Sequence, residues 1–419
     1  MTTRSLDDWL RLQETVHGQG IDLGLTRVRG VAQRLRLLPF PARTIIVAGT
    51  NGKGSTVACL AGLLRAHGLR AGAFTSPHLL RYHERIHVDG APVTDAELIA
   101  AFEAIDAARD TTTLTFFEYN ALAALLVFRA RKVEWAVLEV GLGGRLDAVN
   151  IIDAEAAIVC SIGLDHADWL GTDIQQIGRE KAGVFRPAAL AVIADPQMTP
   201  SVETEARRIG ARLLKAQCDY RWQEPDATGH WTWSDAACSL GGLTRPALPG
   251  RRQFANASAA IATLHGLGVA LQPVAINRAL RALQLPGRFQ IVPGPVEWIL
   301  DVAHNQAAAQ VLAQNLRERP CSGRTWLVAG ILGDKDIDAI ASTLDPVADE
   351  WILCGVDAPR GLTAQQLALR APQFTSAMQQ PDIAAGMQAA AARAAPGDRI
   401  VVCGSFLTVA PALQRLGLY

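Results

Sequence analysis

The stretch of this chain with the clearest chemistry is Thr44-Ile-Ile-Val-Ala-Gly-Thr-Asn-Gly-Lys-Gly-Ser55. Its β-branched start reads as a buried strand, and Gly49, Gly52 and Gly54 read as a turn with unusual backbone angles. Val57, Leu60, Ala61 and Leu64 then fall on one face of a helix that Gly68 can end. Strand, glycine turn with a lysine, and helix make a phosphate cradle. Backbone N–H groups and the positive helix end face the anion, and Lys53 adds a point charge. A hydroxyl at Ser55 or Thr56 is placed to reach a metal ion. The spacing departs from G-x-x-x-x-G-K-[ST]: Val47 takes the first glycine's place and Gly54 separates Lys53 from Ser55. A plain glycine turn with a surface lysine is the bland alternative, and the flanking strand and helix weigh against it.

Further candidates follow other strands. In a parallel sheet the ligand lies at the carboxyl ends of the strands. One predicted strand ends at Ser76, one at Glu139, and one runs on to Asp165 and His166. A carboxylate, a hydroxyl and an imidazole beside a phosphate turn suit divalent-metal phosphoryl chemistry. Alone, each would more often be a cap or a polar core contact; together, at successive strand ends, they favour a site. Lys181 sits in the short helical stretch Ile177–Gly183, where a surface lysine is the competing reading. Gly141-Leu-Gly-Gly-Arg-Leu146 is a weak dinucleotide fingerprint, with leucine in the third glycine's place. Asp301-Val-Ala-His-Asn305 and Gly330-Ile-Leu-Gly-Asp-Lys-Asp336 end later strands and could grip a nucleotide or cap helices.

The elements that position these residues alternate between helix and strand. Residues 5–40 read as largely helical, with Ser5 and Asp8 as a capping box and a glycine-broken loop over 17–25. Strands are predicted over 71–76, 133–140 and 156–162, and helices over 94–109 and 118–132. Residues 215–250, with Trp222, Trp231 and Trp233, read as small antiparallel strands, and helices follow over 256–267 and 273–283. After a Pro/Gly-rich linker near 290, strands are predicted at 296–301, 325–331, 350–355 and 399–406. The fold class is α/β: an N-terminal P-loop ATPase-like domain with a mostly parallel sheet (1–286), then a smaller Rossmann-like α/β domain (287–419).

Composition narrows the function. The 419 residues carry forty basic and forty acidic side chains, so no net field argues for nucleic acid or a membrane surface. Seven cysteines show no metal spacing and read as reduced, which with the lack of a signal-peptide pattern or spanning run implies a soluble cytoplasmic protein. Of the forty basic residues only five are lysine: Lys53, Lys132, Lys181, Lys215 and Lys335. A chain so biased to arginine is expected to keep lysine where guanidinium cannot do the job.

In combination the motifs resemble the dihydrofolate synthase/folylpolyglutamate synthase family of the Mur-ligase-like superfamily. The stretches that carry the resemblance are Val47–Ser55, Ser76-Pro-His-Leu, Leu138–Asp147, Leu164–Gly171, Ile177–Gly183, Leu285-Pro-Gly-Arg-Phe, Leu300–Asn305 and Cys403-Gly-Ser-Phe. The resemblance implies that Thr50, Asn51, Gly52 and Lys53 hold ATP phosphates, and that Ser76 and Glu139 bind one Mg²⁺. It implies that His166 helps hold a second ion, and that Lys181 becomes carbamylated and so turns into a metal ligand. Asn256, Arg288 and Asp301 match nucleotide-contacting positions. Asp22, Leu23, Gly24 and Leu25, then Thr115, Phe116, Phe117 and Glu118, then Leu146, Asp147 and Ala148, match pterin-binding stretches of bifunctional members. Gln306 stands where the family usually has proline, which predicts a looser helix start, and Arg251–Ala255 also departs from the family pattern.

The implied reaction is ATP-dependent amide ligation through an acyl phosphate, adding L-glutamate to dihydropteroate and to reduced folates. The expected partners are these small-molecule substrates, with no nucleic acid and no membrane, and the chain is expected to be a monomer. Three other readings stay open: a folylpolyglutamate synthase without dihydropteroate activity, a Mur-type cell-wall ligase, and a non-catalytic nucleotide-binding module.

Overall fold

The computed structural model describes residues 4–225 and 228–419. Residues 1–3 and 226–227 belong to the N-terminal stretch and to the tryptophan-rich stretch of the sequence reading, and lie outside the described residues. Internal contacts divide the chain into two compact units. One comprises Met1–Ile162, Leu170–Ala247 and Phe254–Leu283; the other comprises Gly163–Trp169, Leu248–Gln253 and Gln284–Tyr419. The second unit thus includes two short segments far upstream of residue 287.

The first unit is built on eight strands: β1 (Arg43–Ala48), β2 (Ala71–Phe74), β3 (Ile86–Val88), β4 (Ala91–Pro92), β5 (Trp135–Glu139), β6 (Ala156–Val159), β7 (Leu190–Ile193) and β8 (Arg212–Lys215). They lie in the order β4-β3-β2-β5-β1-β6-β7-β8. The six from β2 to β8 run parallel, and the β3–β4 hairpin is antiparallel at one edge. The central strands are buried residue after residue, as expected for a sheet covered on both faces. Gly72 is needed on β2 because a Cβ there would fall 2.5 Å from the Phe128 ring. The core gathers Val28, Ile46, Phe74, Phe102, Leu122 and Phe128. A separate antiparallel sheet of β9 (Tyr220–Gln223), β10 (His230–Asp235) and β11 (Ser239–Thr244) carries the tryptophans.

In the second unit, β12 (Gln290–Val292), β13 (Glu297–Asp301), β14 (Thr325–Ala329), β15 (Glu350–Cys354), β16 (Met378–Gln380) and β17 (Arg399–Cys403) form a sheet in the order β12-β13-β17-β14-β15-β16. Only β12 is antiparallel to its neighbour. Its core centres on Ile299, Leu312, Leu327, Phe374 and Val401. The mixed α/β class holds for both units.

Helix boundaries differ from the periodicity reading where a cap decides them. The helix expected over 118–132 is Phe116–Ala130, because Thr115 and Glu118 form a capping box around its first turn. The helix read from the apolar face of Val57, Leu60, Ala61 and Leu64 begins at Lys53, with Gly52 as its N-cap. The looser start expected at Gln306 is absent: Asn305 caps that helix, its side-chain oxygen accepting the Ala308 N–H at 2.9 Å.

Candidate active site

β1 sits in mid-sheet between β5 and β6, with Val47 opposite Glu139 and Ala48 opposite Val159. The loop that leaves its carboxyl end is laced to the end of β6. The Thr50 N–H donates to the Ser161 carbonyl at 2.8 Å, and the Asn51 N–H donates to Ser161 Oγ at 3.0 Å. Those two amides are therefore committed to protein. The N–H groups of Lys53, Gly54 and Ser55 lie in the first helical turn, where no intrahelical acceptor exists, so they are the amides with which this turn could meet an anion. Gly52 has φ +89, and a Cβ there would fall 2.9 Å from Asn256 Oδ1. The sequence-predicted Asn256 thus lies against the turn.

Both lysines of the first unit's motifs converge on this loop. Lys53 Nζ donates to the Gly49 carbonyl at 3.0 Å and to that of Thr50 at 3.1 Å. The Lys181 ammonium, on a buried side chain, reaches the same Gly49 carbonyl at 3.2 Å. The hydroxyl of Thr56 is committed to the Gly52 carbonyl at 2.9 Å, so of the two expected hydroxyls only Ser55 can turn toward an ion. Behind the turn, burial pushes the Cys160 thiol up to about 12 and leaves it an inert packing group.

Glu139 ends β5 buried, its Oε2 accepting the Ser76 N–H at 3.2 Å. The Ser76–Pro77 peptide is cis. Beyond it lies a group that the sequence reading missed. Buried Arg85 donates from Nε to His78 Nδ1 at 2.7 Å, and its guanidinium lies over Tyr82 and Phe116. Burial, helped by the Arg85 charge, lowers the His78 imidazole to about 4, so it is a neutral acceptor at neutral pH. Only the Ser-Pro-His motif hinted at this arrangement.

The three stretches matched to pterin binding are brought together by a chain of contacts. Asp22 pairs with Arg27 at 2.6 Å and with His17 at 3.1 Å, and Arg27 also reaches buried Glu118 at 3.3 Å. Glu118 accepts the Thr115 N–H at 2.8 Å. One residue earlier, the Phe117 ring covers Gly141, where a Cβ would lie 2.6 Å away. The Gly141 N–H in turn donates to Asp147 Oδ2 at 2.9 Å, and Leu142 and Val149 donate to the same carboxylate. Burial raises the Asp147 carboxyl to about 6 despite these three donors. Leu25, Phe116, Phe117 and Ala148 belong to one apolar cluster. Leu23, Gly24 and Leu146 sit beside these anchors in sequence.

His166, expected at a strand end, stands elsewhere. β6 stops at Val159, and His166 lies in the Gly163–Trp169 segment of the second unit, with φ +53. Its neighbour Asp165 takes Lys335 Nζ at 2.7 Å, Asn305 Nδ2 at 2.9 Å and His304 Nε2 at 3.4 Å. These charges hold the Asp165 carboxyl far below the usual carboxylate range against the opposing effect of burial. Arg288 lies over the Phe406 ring at 4.9 Å, and burial raises the nearby Asp301 carboxyl although Arg288 opposes it. Among the described residues, no three His, Cys, Asp or Glu side chains group as a metal site.

Residues 47–264 match the Mur ligase middle domain, and residues 287–406 match the Mur ligase glutamate ligase domain. Over 98% of this chain and 95% of the relative, the sequence is 41% identical to the dihydrofolate synthase/folylpolyglutamate synthase of Escherichia coli K12. The chain belongs to the dihydrofolate synthase/folylpolyglutamate synthase family. The Haemophilus influenzae member of this family is 34% identical over 97% of both chains. Among solved structures of the family, E. coli FolC in complex with DHPP and ADP superposes with a TM-score of 0.94 at 41% identity, covering 99% of this chain and 98% of the other. A bifunctional folylpolyglutamate synthase/dihydrofolate synthase with Mn, AMPPNP and L-glutamate bound gives 0.92 at 42% identity, covering 99% of each. As in this family, the present fold is an α/β unit with a large, mostly parallel sheet followed by a separate C-terminal α/β unit.

Proposed function

We propose that this chain is an ATP-dependent ligase that adds L-glutamate to 7,8-dihydropteroate, forming dihydrofolate, and to reduced folates, extending a polyglutamate tail. The observation that carries the reading is the turn after β1, with its first-turn amides, Lys53, Lys181 and buried Glu139 at adjoining strand ends. Relatives solved with ADP, AMPPNP, Mn, L-glutamate and DHPP support the same substrates here.

In this reading the acceptor carboxylate attacks the γ-phosphorus of ATP, ADP leaves, and an acyl phosphate forms. The glutamate amine then attacks the acyl carbon, phosphate leaves, and the amide remains; no protein nucleophile takes part. Thr50 to Lys53 and the amides through Ser55 hold the phosphates. Lys53, now resting on two loop carbonyls, moves its charge onto the transferring group. Asn256, Arg288 and Asp301 contact the nucleotide. Asp22 to Leu25, Thr115 to Glu118 and Leu146 to Ala148 form the pterin side.

Ser76 and Glu139 would hold one Mg²⁺, and His166 would help hold a second; bound there, such ions would offset charge on the phosphates and orient them. A buried carboxylate beside the cradle fits such an ion, since magnesium takes few protein ligands. An ammonium at Lys181 does not fit one; the carbamate of Lys181, an anion, does. We assign residues 1–286 to ATP and pterin binding and residues 287–419 to the glutamate-ligase part, in a monomer working in the cytoplasm. No helix among the described residues is long and apolar enough to cross a membrane, and all seven cysteines are free.

Purified protein tests the reading directly. Product from ATP, glutamate and either dihydropteroate or tetrahydrofolate is expected. Product from tetrahydrofolate alone would leave a monofunctional folylpolyglutamate synthase, and no acceptor-dependent ATP consumption would overturn the ligase reading.

A further inference from the structure

The Gly163–Trp169 segment has little apolar anchoring of its own. Leu164 and Trp169, its large hydrophobics, are 45% and 46% exposed. One carboxylate ties it to the loops after β13 and β14. Asp165 Oδ1 accepts from Lys335 Nζ at 2.7 Å and from the His166 N–H at 2.9 Å. Asp165 Oδ2 accepts from Asn305 Nδ2 at 2.9 Å and faces His304 Nε2 at 3.4 Å. The donors come from two different loops, one after β13 and one after β14.

Each of these partners is itself held in orientation. Asn305 has its amide oxygen on the Ala308 N–H, which turns the nitrogen toward Asp165. His304 Nδ1 meets the Val302 carbonyl at 2.8 Å, which turns Nε2 the same way. Asp334, which lies 3.6 Å from the Lys335 ammonium, is also paired with Arg360 at 2.7 Å.

The pair is buried, with 7% of each side chain exposed. A buried ion pair contributes little net stability, because desolvation offsets its attraction and an apolar pair of similar volume often does as well. What it supplies is a defined geometry. His166 needs one: at φ +53 it occupies the left-handed region, which is unfavourable for a non-glycine residue. The Asp165 carboxylate on its N–H and the Trp169 N–H on its carbonyl, at 2.9 Å, hold it there.

We propose that Asp165 and Lys335 are positioning residues of the ligation reaction, whose buried pair fixes the backbone of His166 and so the direction of its imidazole. The inference rests on the reading of His166 as a metal-holding residue.

The test is Mn²⁺ binding to the full-length protein with AMPPNP, followed by electron paramagnetic resonance, for wild type, His166→Ala, Asp165→Asn and Lys335→Met. Thermal unfolding without metal is recorded in parallel. His166→Ala identifies the Mn²⁺ site that depends on the imidazole. Asp165→Asn and Lys335→Met are expected to weaken that same site about tenfold or more, the usual effect of removing an outer-shell support. A pair that only stabilises the fold would lower the unfolding temperature and leave Mn²⁺ affinity within twofold of wild type, which overturns the proposal. If His166→Ala binds Mn²⁺ like wild type, the metal reading of His166 fails separately. Should Asp165→Asn not fold, Asn305→Ser serves in its place, since serine keeps the helix cap and removes the amide donor to Asp165.

Discussion

Two glycines of the first unit allow a controlled test of the phosphate turn. Gly52 has φ +89 and Gly68, at the far end of the same helix, has φ +77. Alanine in the left-handed region costs about 1–2 kcal/mol at either position. At Gly68 an added methyl meets nothing within 4 Å. At Gly52 it meets Asn256 Oδ1 at 2.9 Å and Cys160 Cβ at 3.5 Å, and buried Asn256 must give way. Forced packing of that kind adds about 1–3 kcal/mol. Gly68→Ala should therefore lose about 1–2 kcal/mol and Gly52→Ala about 2–5 kcal/mol, the latter a large share of the roughly 5–15 kcal/mol of a typical fold. Nucleotide separates the two further. At a hundredfold excess over its Kd a ligand adds about 2.7 kcal/mol to stability. Gly68→Ala should keep that increment and full ligation. Gly52→Ala should lose most of it, because the methyl displaces Asn256 and tilts the cradle amides. Thermal unfolding with and without magnesium AMPPNP, beside a ligation assay, reads both. A Gly52→Ala protein with the same nucleotide increment as Gly68→Ala would refute the assignment of the turn to phosphate.

Lys53→Ala should fold normally and lose about 100-fold or more in kcat, the usual cost of removing one donor to a transition-state anion, with circular dichroism and product formation as the checks. Lys181→Ala should be inactive and recover part of its turnover with a small added carboxylate. ¹³C-bicarbonate should label Lys181 of the wild type, and no label together with no rescue would leave it a plain ammonium. The Asp147 carboxyl is raised from an ordinary 3.8 to about 6, so the unfolded chain gives up this proton first as pH rises. Its contribution is therefore fully present below about 3.8 and lost as pH rises through about 6, a change on the order of 3 kcal/mol. The wild-type stability minus that of Asp147→Asn, from urea midpoints at pH 4 to 7, should fall across that window. A flat difference would show Asp147 to be unperturbed.

Local signals in the sequence were legible where one residue type answers one backbone demand. The β-branched run before Gly49 reads correctly as a buried strand, and Ser5/Asp8 and Thr94/Glu97 form the capping boxes their spacing suggests. Thr115 and Glu118 carry the same signature, but apolar periodicity set the expected helix start two residues late. The strands β3, β4, β12 and β16 are only two or three residues long, too short to show a period. What no local signal carries is pairing between distant positions. Asn256 against Gly52, His78 under Arg85 and Lys335 on Asp165 are set by topology and become visible only in the fold.

The contacts of Asp165 also bear on how the gene can be divided. A cut in the proline- and glycine-rich linker looks natural, yet a polypeptide beginning there lacks Asp165, which lies in the earlier half of the chain. Lys335 would then keep an almost buried ammonium with Asp334, already shared with Arg360, as its nearest acid. Stranding one member of a buried pair costs about 3–5 kcal/mol. The C-terminal piece is thus a poor module for recombination or separate expression: its unit also includes Gly163–Trp169 and Leu248–Gln253, from earlier in the chain. Exchange of this half between family members should succeed only when those segments travel with it.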